Sequence, residues 1–179
     1  MYIVVVNGFP ESGKTTFEEM VRDWAAGGAI SHITYLLSTV TDIKEIAKKC
    51  GWNGEKTPEA RKFLSDLKDL LTTYNDFPLK QIEKSIDLIR KKDKDPKKII
   101  FIDCREPDEI KKLVDKFYAR TVLVRRNMPQ ITKYNNHSDN NVLEYAYDYI
   151  IENNGPLSQL HDSAITFYES LTGIINPQL

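Results

Sequence analysis

The chain has 179 residues, of which 41% are hydrophobic and 28% are charged, as in ordinary globular proteins. The net charge of −1 provides no field that favours nucleic acid or an anionic membrane, so we expect neither as a partner. There is no apolar run of membrane-spanning length, no signal-peptide pattern and no metal-ligand spacing between Cys50 and Cys104. We therefore expect one cytoplasmic domain over residues 1–179, a monomer or a homodimer, with reduced thiols.

A short β-branched strand, Ile3–Val6, is predicted near the start of the chain. The segment Gly8–Thr15 follows it and matches G-x-x-x-x-G-K-[ST], the phosphate-binding P-loop. Apolar residues at helical spacing come next, so the motif lies between a strand and a helix, as its function requires. The motif predicts a nucleoside triphosphate site.

The residue types of the P-loop explain its chemistry. Its two glycines allow turns in which successive N–H groups converge on phosphate oxygens. Lys14 can reach the β- and γ-phosphates, the Thr15 hydroxyl can ligate Mg²⁺, and the helix N-terminus adds positive charge. ATP is expected rather than GTP, because no Asn-Lys-x-Asp motif is present. The loop residues expected to contact the nucleotide are Gly8, Glu11, Ser12, Gly13, Lys14, Thr15 and Thr16.

A helical region is predicted between the second strand, at residues 32–38, and the third. A parallel crossover needs only one helix, so the three helices predicted within residues 40–92 indicate an acceptor-binding insertion. Lys44 and Arg61 each follow a predicted helix start and are the candidate ligands of an anionic acceptor. Trp52 is either a base-stacking residue or a core or hinge residue.

Other residues of this region are expected to be structural. The inward stripe of the middle helix is predicted to comprise Phe63, Leu64, Leu67, Leu70, Leu71 and Tyr74. The remaining basic residues, predicted to lie on solvated faces, are Lys48, Lys56, Lys62 and Lys68.

The third predicted strand, Ile99–Asp103, is apolar until its last residue and is therefore expected to be central. Asp103 is either a Mg²⁺-shell ligand or acceptor base, or a helix-capping residue. Arg105 either holds a phosphate or carboxylate bidentately or pairs with Glu106 or Glu109.

The fourth predicted strand, Thr121–Val124, ends at Arg125 and Arg126, and at least one of them is expected to stabilise the transferred phosphoryl group. Residues 127–143 are rich in Asn and are predicted to form a loop or short lid, with Lys133 as a weaker candidate.

A fifth strand is predicted at Tyr147–Ile151, before a turn at Asn153–Gly155 and a last helix that buries Leu157. Alternating strands and helices predict an α/β fold of three layers, with a five-stranded parallel sheet between helices. Since ligands bind beyond the carboxyl ends of such strands, the P-loop and the residues after strands three, four and five should share one rim.

On these residues the chain resembles the P-loop nucleoside-monophosphate-kinase-like superfamily and, within it, small phage and bacterial deoxynucleoside-monophosphate-kinase-like proteins. The resemblance extends over strand, P-loop and helix, a helical acceptor segment, Asp-x-Arg at 103–105, a strand ending in arginine, and Asn-Gly before the final helix. It implies a P-loop kinase core with a helical acceptor-binding region at 40–92 and a lid at 127–143. It also implies transfer of the ATP γ-phosphate to a nucleotide phosphate, with Mg²⁺.

The resemblance implies a role for each matched residue. Lys14 and Thr15 would serve the donor phosphates and metal, Asp103 and Arg105 the metal and acceptor, and Arg125 or Arg126 the transferred group. The residues implied near the donor base are Asn153 and Asn154. The sequence departs from the family in its lid, which contains no arginine-rich segment.

Two other functions remain open from the sequence. One is a kinase for another phosphorylated acceptor, such as phosphomevalonate or dephospho-coenzyme A. The other is a nucleotide-dependent switch or binding module that transfers no phosphate. Such a function would explain why the predicted lid is poor in arginine.

Overall fold

The computed structural model describes residues 1–27, 30–127 and 141–174. The strands are β1 (Tyr2–Asn7), β2 (Ile33–Ser38), β3 (Lys98–Asp103), β4 (Arg120–Arg125) and β5 (Tyr149–Glu152). The helices of the described part are α1 (Lys14–Gly27), α2 (Thr41–Lys49), α3 (Pro58–Asn75), α4 (Phe77–Lys92), α5 (Pro107–Phe117) and α6 (Leu157–Thr172). None of the described helices is long and apolar enough to span a membrane.

The five strands form one parallel sheet in the order β2-β3-β1-β4-β5. The predicted three-layer α/β fold is confirmed. β1 lies in the middle, where Val6 is level with Asp103 of β3 and Asn7 is level with Leu123 of β4. This register brings the end of β1, and the P-loop after it, between the ends of β3 and β4.

The alternation of side chains along β1 divides the core between the two faces of the sheet. Val4 and Val6 pack with residues of α1 and α6, whereas Ile3 and Val5 pack with residues of α4 and α5. Because both faces are covered, the central strands are apolar at nearly every position, as the sequence indicated.

Residues 40–92 form α2, α3 and α4, as predicted, but the stripe predicted to face inward on α3 is wrong in part. Phe63, Leu70 and Tyr74 are exposed, by 38%, 66% and 80%, whereas Lys68 of the same helix is buried. α3 packs against α2 and α4 and turns a partly polar stripe towards the rim of the sheet. A helix with apolar residues on two faces does not reveal which face its neighbours will cover.

Two further details of the last third differ from the prediction. β5 begins at Tyr149 rather than Tyr147, because Tyr147 lies before the strand with its hydroxyl bonded to Asn7. Leu157 is 63% exposed at the first turn of α6 instead of buried. Most of the predicted lid, including Lys133, lies outside the described residues.

Candidate functional site

The P-loop connects β1 to α1 through a backbone that only glycine can follow at its tightest point. Gly13 has φ +96°, and a Cβ there would overlap Nδ2 of Asn153. A Cβ at Gly8 would likewise overlap the carbonyl oxygen of Val124. Asn153 Nδ2 also donates to the Ser12 carbonyl at 2.9 Å, so the β5–α6 loop braces the P-loop from outside. The loop therefore forms a close-fitting backbone cradle that suits phosphate oxygens.

Lys14 lies at the centre of this cradle. Its Nζ donates to the carbonyl oxygens of Gly8 at 2.6 Å and Phe9 at 3.0 Å. The ammonium is thus held over the loop, at the position from which a P-loop lysine contacts phosphates.

A first cavity, of about 500 Å³, opens on one side of the P-loop. Its lining residues are Glu11, Gly13, Lys14, Thr15, Thr16, Arg126, Asn153, Gly155, Leu157 and Leu160. Polar loop residues form one part of the wall and the start of α6 supplies two leucines. This combination suits the phosphates and the flat ring of a nucleotide. We call it the donor cavity.

The two consecutive arginines after β4 occupy different places. Arg126 lines the donor cavity. Arg125 is bonded through Nε to Glu152 Oε1 at 2.9 Å, in an ion pair that is half exposed on both sides. Because neighbouring residues of an extended segment point to opposite sides, only one of the two reaches this cavity. Asn154 is not among the lining residues, and its side chain bonds the Asn127 backbone and Glu152 instead.

A second cavity, of about 510 Å³, lies between the P-loop, the start of α2, α3 and the loop after β3. It brings together the residues predicted for the acceptor and the metal, namely Lys44, Arg61, Asp103 and Arg105. Trp52 lines it as well, which places its ring at the cavity rather than in the core. We call this space the acceptor cavity.

The acceptor cavity has an excess of positive charge. Its lining includes six basic residues, which are Lys14, Lys44, Lys56, Arg61, Lys68 and Arg105. Its lining includes three acidic residues, which are Glu11, Glu55 and Asp103. Lys14 and Glu11 line both cavities, so the two spaces meet at the P-loop lysine.

Two carboxyl groups whose pKa values Lys14 influences lie near this meeting point, the buried Glu18 and the partly buried Asp103. Burial raises the pKa of Asp103, against the lowering effect of Lys14, Arg105 and Lys44. Burial, and then the charge of Asp103, raises the pKa of Glu18 to about 8, with Lys14 opposing. Glu18 was not predicted as a site residue, although an acid on the buried face of α1 is a signal that the sequence contains.

Asn7 connects the P-loop to the loop that carries Arg105. Its Oδ1 accepts from the Gly8 N–H at 2.7 Å, while its Nδ2 donates to the Arg105 carbonyl at 3.2 Å. The same Nδ2 donates to the Tyr147 hydroxyl at 2.7 Å, and that hydroxyl donates to the Val142 carbonyl at 2.8 Å. These bonds hold the two loops at a set spacing, and nothing in the local sequence pattern indicated them.

A buried ion pair closes the inner wall of the acceptor cavity. Lys68 Nζ lies 2.7 Å from Glu109 Oε2, and the Cys104 thiol lies 3.4 Å from the same oxygen. Burial raises the pKa of Cys104, so its thiol stays protonated. The prediction that Lys68 lies on a solvated face is wrong, because α5 places a carboxylate where Lys68 enters the interior. Glu109, one of the two partners considered for Arg105, is the partner of Lys68.

No protein-family model matches the chain, and no curated protein sequence matches it. Among solved structures, an unliganded sugar kinase from Janibacter sp. HTCC2649 is similar at 15% identity over 96% of each chain, with a TM-score of 0.52. A gluconokinase from Sinorhizobium meliloti 1021 aligns at 14% identity over 96% of this chain and 94% of its own, with a TM-score of 0.48. TT1252 from Thermus thermophilus aligns at 18% identity over 96% and 98%, with a TM-score of 0.45. The similarity to the first of these shows that the chain shares its overall fold, and within that fold the P-loop motif of Gly8–Thr15 lies between β1 and α1.

Proposed function

We propose that this protein is an ATP-dependent phosphotransferase whose acceptor is a nucleoside or deoxynucleoside monophosphate. The observation that carries the proposal is the pair of cavities that meet at Lys14. A protein that only binds a nucleotide needs the donor cavity, whereas a second cavity of similar volume on the other side of the same lysine fits a second substrate. In-line phosphoryl transfer needs this arrangement, because the attacking oxygen of the acceptor and the leaving oxygen of the donor lie on opposite sides of the transferred phosphorus atom.

On the donor side, we assign Lys14 to the β- and γ-phosphates and Arg126 to the charge of the transferred group. Thr15 and Asp103 would hold Mg²⁺, since hydroxyl and carboxylate oxygens are ligands that this ion prefers. When bound, Mg²⁺ would neutralise charge on the donor phosphates. Asn153 holds the P-loop and lines the cavity, which supports a place near the donor.

On the acceptor side, the excess of basic residues supports an anionic substrate. Arg61 and Arg105 present planar guanidinium groups that suit a phosphate, and Lys44 adds a further positive charge. An uncharged sugar would not neutralise these basic side chains. Trp52 offers an aromatic face in the same cavity, on which a base can stack. These features together favour a nucleotide over a small carboxylate.

The test is ADP release from Mg-ATP over a panel of acceptors. The panel contains the nucleoside and deoxynucleoside monophosphates, phosphomevalonate, dephospho-coenzyme A and gluconate. We expect strong stimulation by one or more nucleoside monophosphates, and its loss in Lys14→Ala. Stimulation by another acceptor alone would keep the phosphotransferase and replace its substrate. ATP binding with a flat panel would refute transfer and favour a nucleotide-dependent switch.

A control is needed because a contaminating kinase can give the same signal. Lys14→Ala supplies it, since the variant removes the ammonium over the P-loop without removing core packing, Lys14 being only half-buried. Normal turnover in this variant would show that another protein, or another site, performs the reaction. The compartment that we propose is the cytoplasm, with which the free thiols of Cys50 and Cys104 agree.

A further inference from the structure

The buried pair of Lys68 and Glu109 has no role in the reaction proposed above. Both residues are almost wholly buried, at 7% and 9% exposure, and their charged atoms lie 2.7 Å apart. Lys68 nevertheless lines the acceptor cavity, on the same stripe of α3 as Arg61, Leu64 and Ser65. It is the most deeply buried basic residue of that cavity.

Stability does not account for this burial. Removing two charges from water costs free energy that their attraction often fails to recover, so apolar residues at both positions would serve the fold as well or better. The same helix has apolar side chains available, since Leu70 is 66% exposed and Tyr74 is 80% exposed. α3 therefore turns a lysine inward while it leaves a leucine and a tyrosine in solvent.

Lys68 has hydrogen-bonding capacity beyond its bond to Glu109, and it lines the acceptor cavity. An ammonium group has three N–H donors, and Glu109 accepts from one of them. Within the described residues, Lys68 has no other hydrogen bond or ion pair. A ligand in this cavity could therefore accept a hydrogen bond from the ammonium group of Lys68.

The charge of the pair indicates the kind of group that these donors suit. Glu109 neutralises the charge of Lys68, so the pair has no net charge that would attract a second anion. A phosphate is better placed among the other basic residues of the lining, which are Lys44, Lys56, Arg61 and Arg105. The group beside Lys68 is then an uncharged oxygen acceptor, such as a carbonyl.

We propose that Lys68 determines acceptor specificity by donating to a carbonyl oxygen of the acceptor's base, with Glu109 as the positioning residue that holds its ammonium. This inference rests on the proposed function, in that the acceptor is a nucleoside monophosphate. It selects the bases that carry a carbonyl group, namely guanine, thymine, uracil and cytosine. Adenine, which has no carbonyl and presents an amino group, is selected against.

The experiment is isothermal titration of the protein with dGMP, dTMP, dCMP and dAMP, in the absence of ATP. The test variant is Lys68→Met/Glu109→Leu, which removes both charges and leaves no lone buried ion. The control variant is Lys62→Met on the same helix, where Lys62 is exposed and bonded to Asp66. Thermal unfolding of each variant establishes that it is folded.

We expect wild-type protein and the control to bind at least one oxo-base nucleotide about 10-fold or more tightly than dAMP, as for a hydrogen bond from a charged donor. The double variant should lose this preference while its affinity for dAMP stays unchanged. If the Lys68–Glu109 pair were merely structural, its loss would weaken the binding of all four nucleotides equally. The decisive quantity is therefore the ratio of the affinities for the oxo-base nucleotides and dAMP. Should the double variant not fold, Lys68→Met/Glu109→Gln replaces it and keeps an acceptor for the Cys104 thiol.

Three results would overturn the inference: no preference in wild-type protein, a preference that survives in the double variant, or no nucleotide binding at all. Failure of the proposed function is recognised separately. If wild-type protein shows the preference but releases no ADP with any acceptor, transfer is refuted and the role of Lys68 stands. If only an acceptor without a base supports turnover, the role of Lys68 is refuted and phosphotransfer stands.

Discussion

Glu18 provides a quantitative test of the electrostatics beneath the P-loop. The side chain is 4% exposed and lies one helical turn after Lys14. Burial, and then the charge of Asp103, raises its pKa from 4.5 to about 8. The change that we consider is Glu18→Gln, which keeps the size and polarity of the protonated acid but has no proton to lose.

The sign of the effect follows from proton binding. Between pH 4.5 and 8, Glu18 is ionised in the unfolded chain and still protonated in the folded protein, so the folded state binds more protons. The stability associated with this group is therefore complete below pH 4.5 and is lost as the pH rises towards 8. The slope approaches about 1.4 kcal/mol per pH unit, which amounts to roughly 3 kcal/mol between pH 4.5 and pH 7. Gln has no such dependence, so the variant should be about 3 kcal/mol more stable than wild type at pH 7 and nearly equal to it below pH 4.5.

The assay is urea unfolding of both proteins at pH 5, 6, 7 and 8, without nucleotide or metal. Glu19→Gln is the matched control, because Glu19 is the next residue and is exposed. A stability difference between Glu18→Gln and wild type that stays constant over this range would refute the reasoning. So would a variant that is less stable than wild type at pH 7.

Two further predictions concern the P-loop and its arginine. Arg126→Ala should lower kcat by about 100-fold or more, as expected for loss of a charge that stabilises the transition state, and Arg125→Ala should lower it much less. Equal effects in steady-state kinetics would show that lining the donor cavity does not distinguish the two arginines. Gly13→Ala should lower ATP affinity by roughly 10-fold or more in titration calorimetry, because its Cβ would overlap Asn153 where φ is already +96°. Gly51→Ala is its control, since Gly51 has a similar φ of +100° but no atom within 4 Å of the added Cβ, and equal loss in both would contradict the cradle geometry.

Local features of this protein are determined by the sequence alone. The P-loop is contiguous, so the residues of Gly8–Thr15 specify its chemistry by themselves, although Asn153 braces its backbone from the β5–α6 loop. The three central strands, β1, β3 and β4, are runs of apolar residues, and this pattern alone predicts their burial on both faces of the sheet. The rule that ligands bind at the carboxyl ends of parallel strands then predicts that Asp103 and Arg105 lie at the same rim as the P-loop, and in the structure they line one cavity with Lys14.

Only the tertiary structure decides which side chain of a closely spaced set enters the site. Arg125 and Arg126 are equivalent in the sequence, and the position of Glu152 on the neighbouring strand separates them. From the sequence alone, Lys68 is expected to be a surface lysine. In the folded protein, α5 places Glu109 2.7 Å from it. The physical reason is common to both cases: an acidic partner far away in the chain determines where the basic side chain lies. Periodicity reports which residues share a face, and packing decides which face is covered.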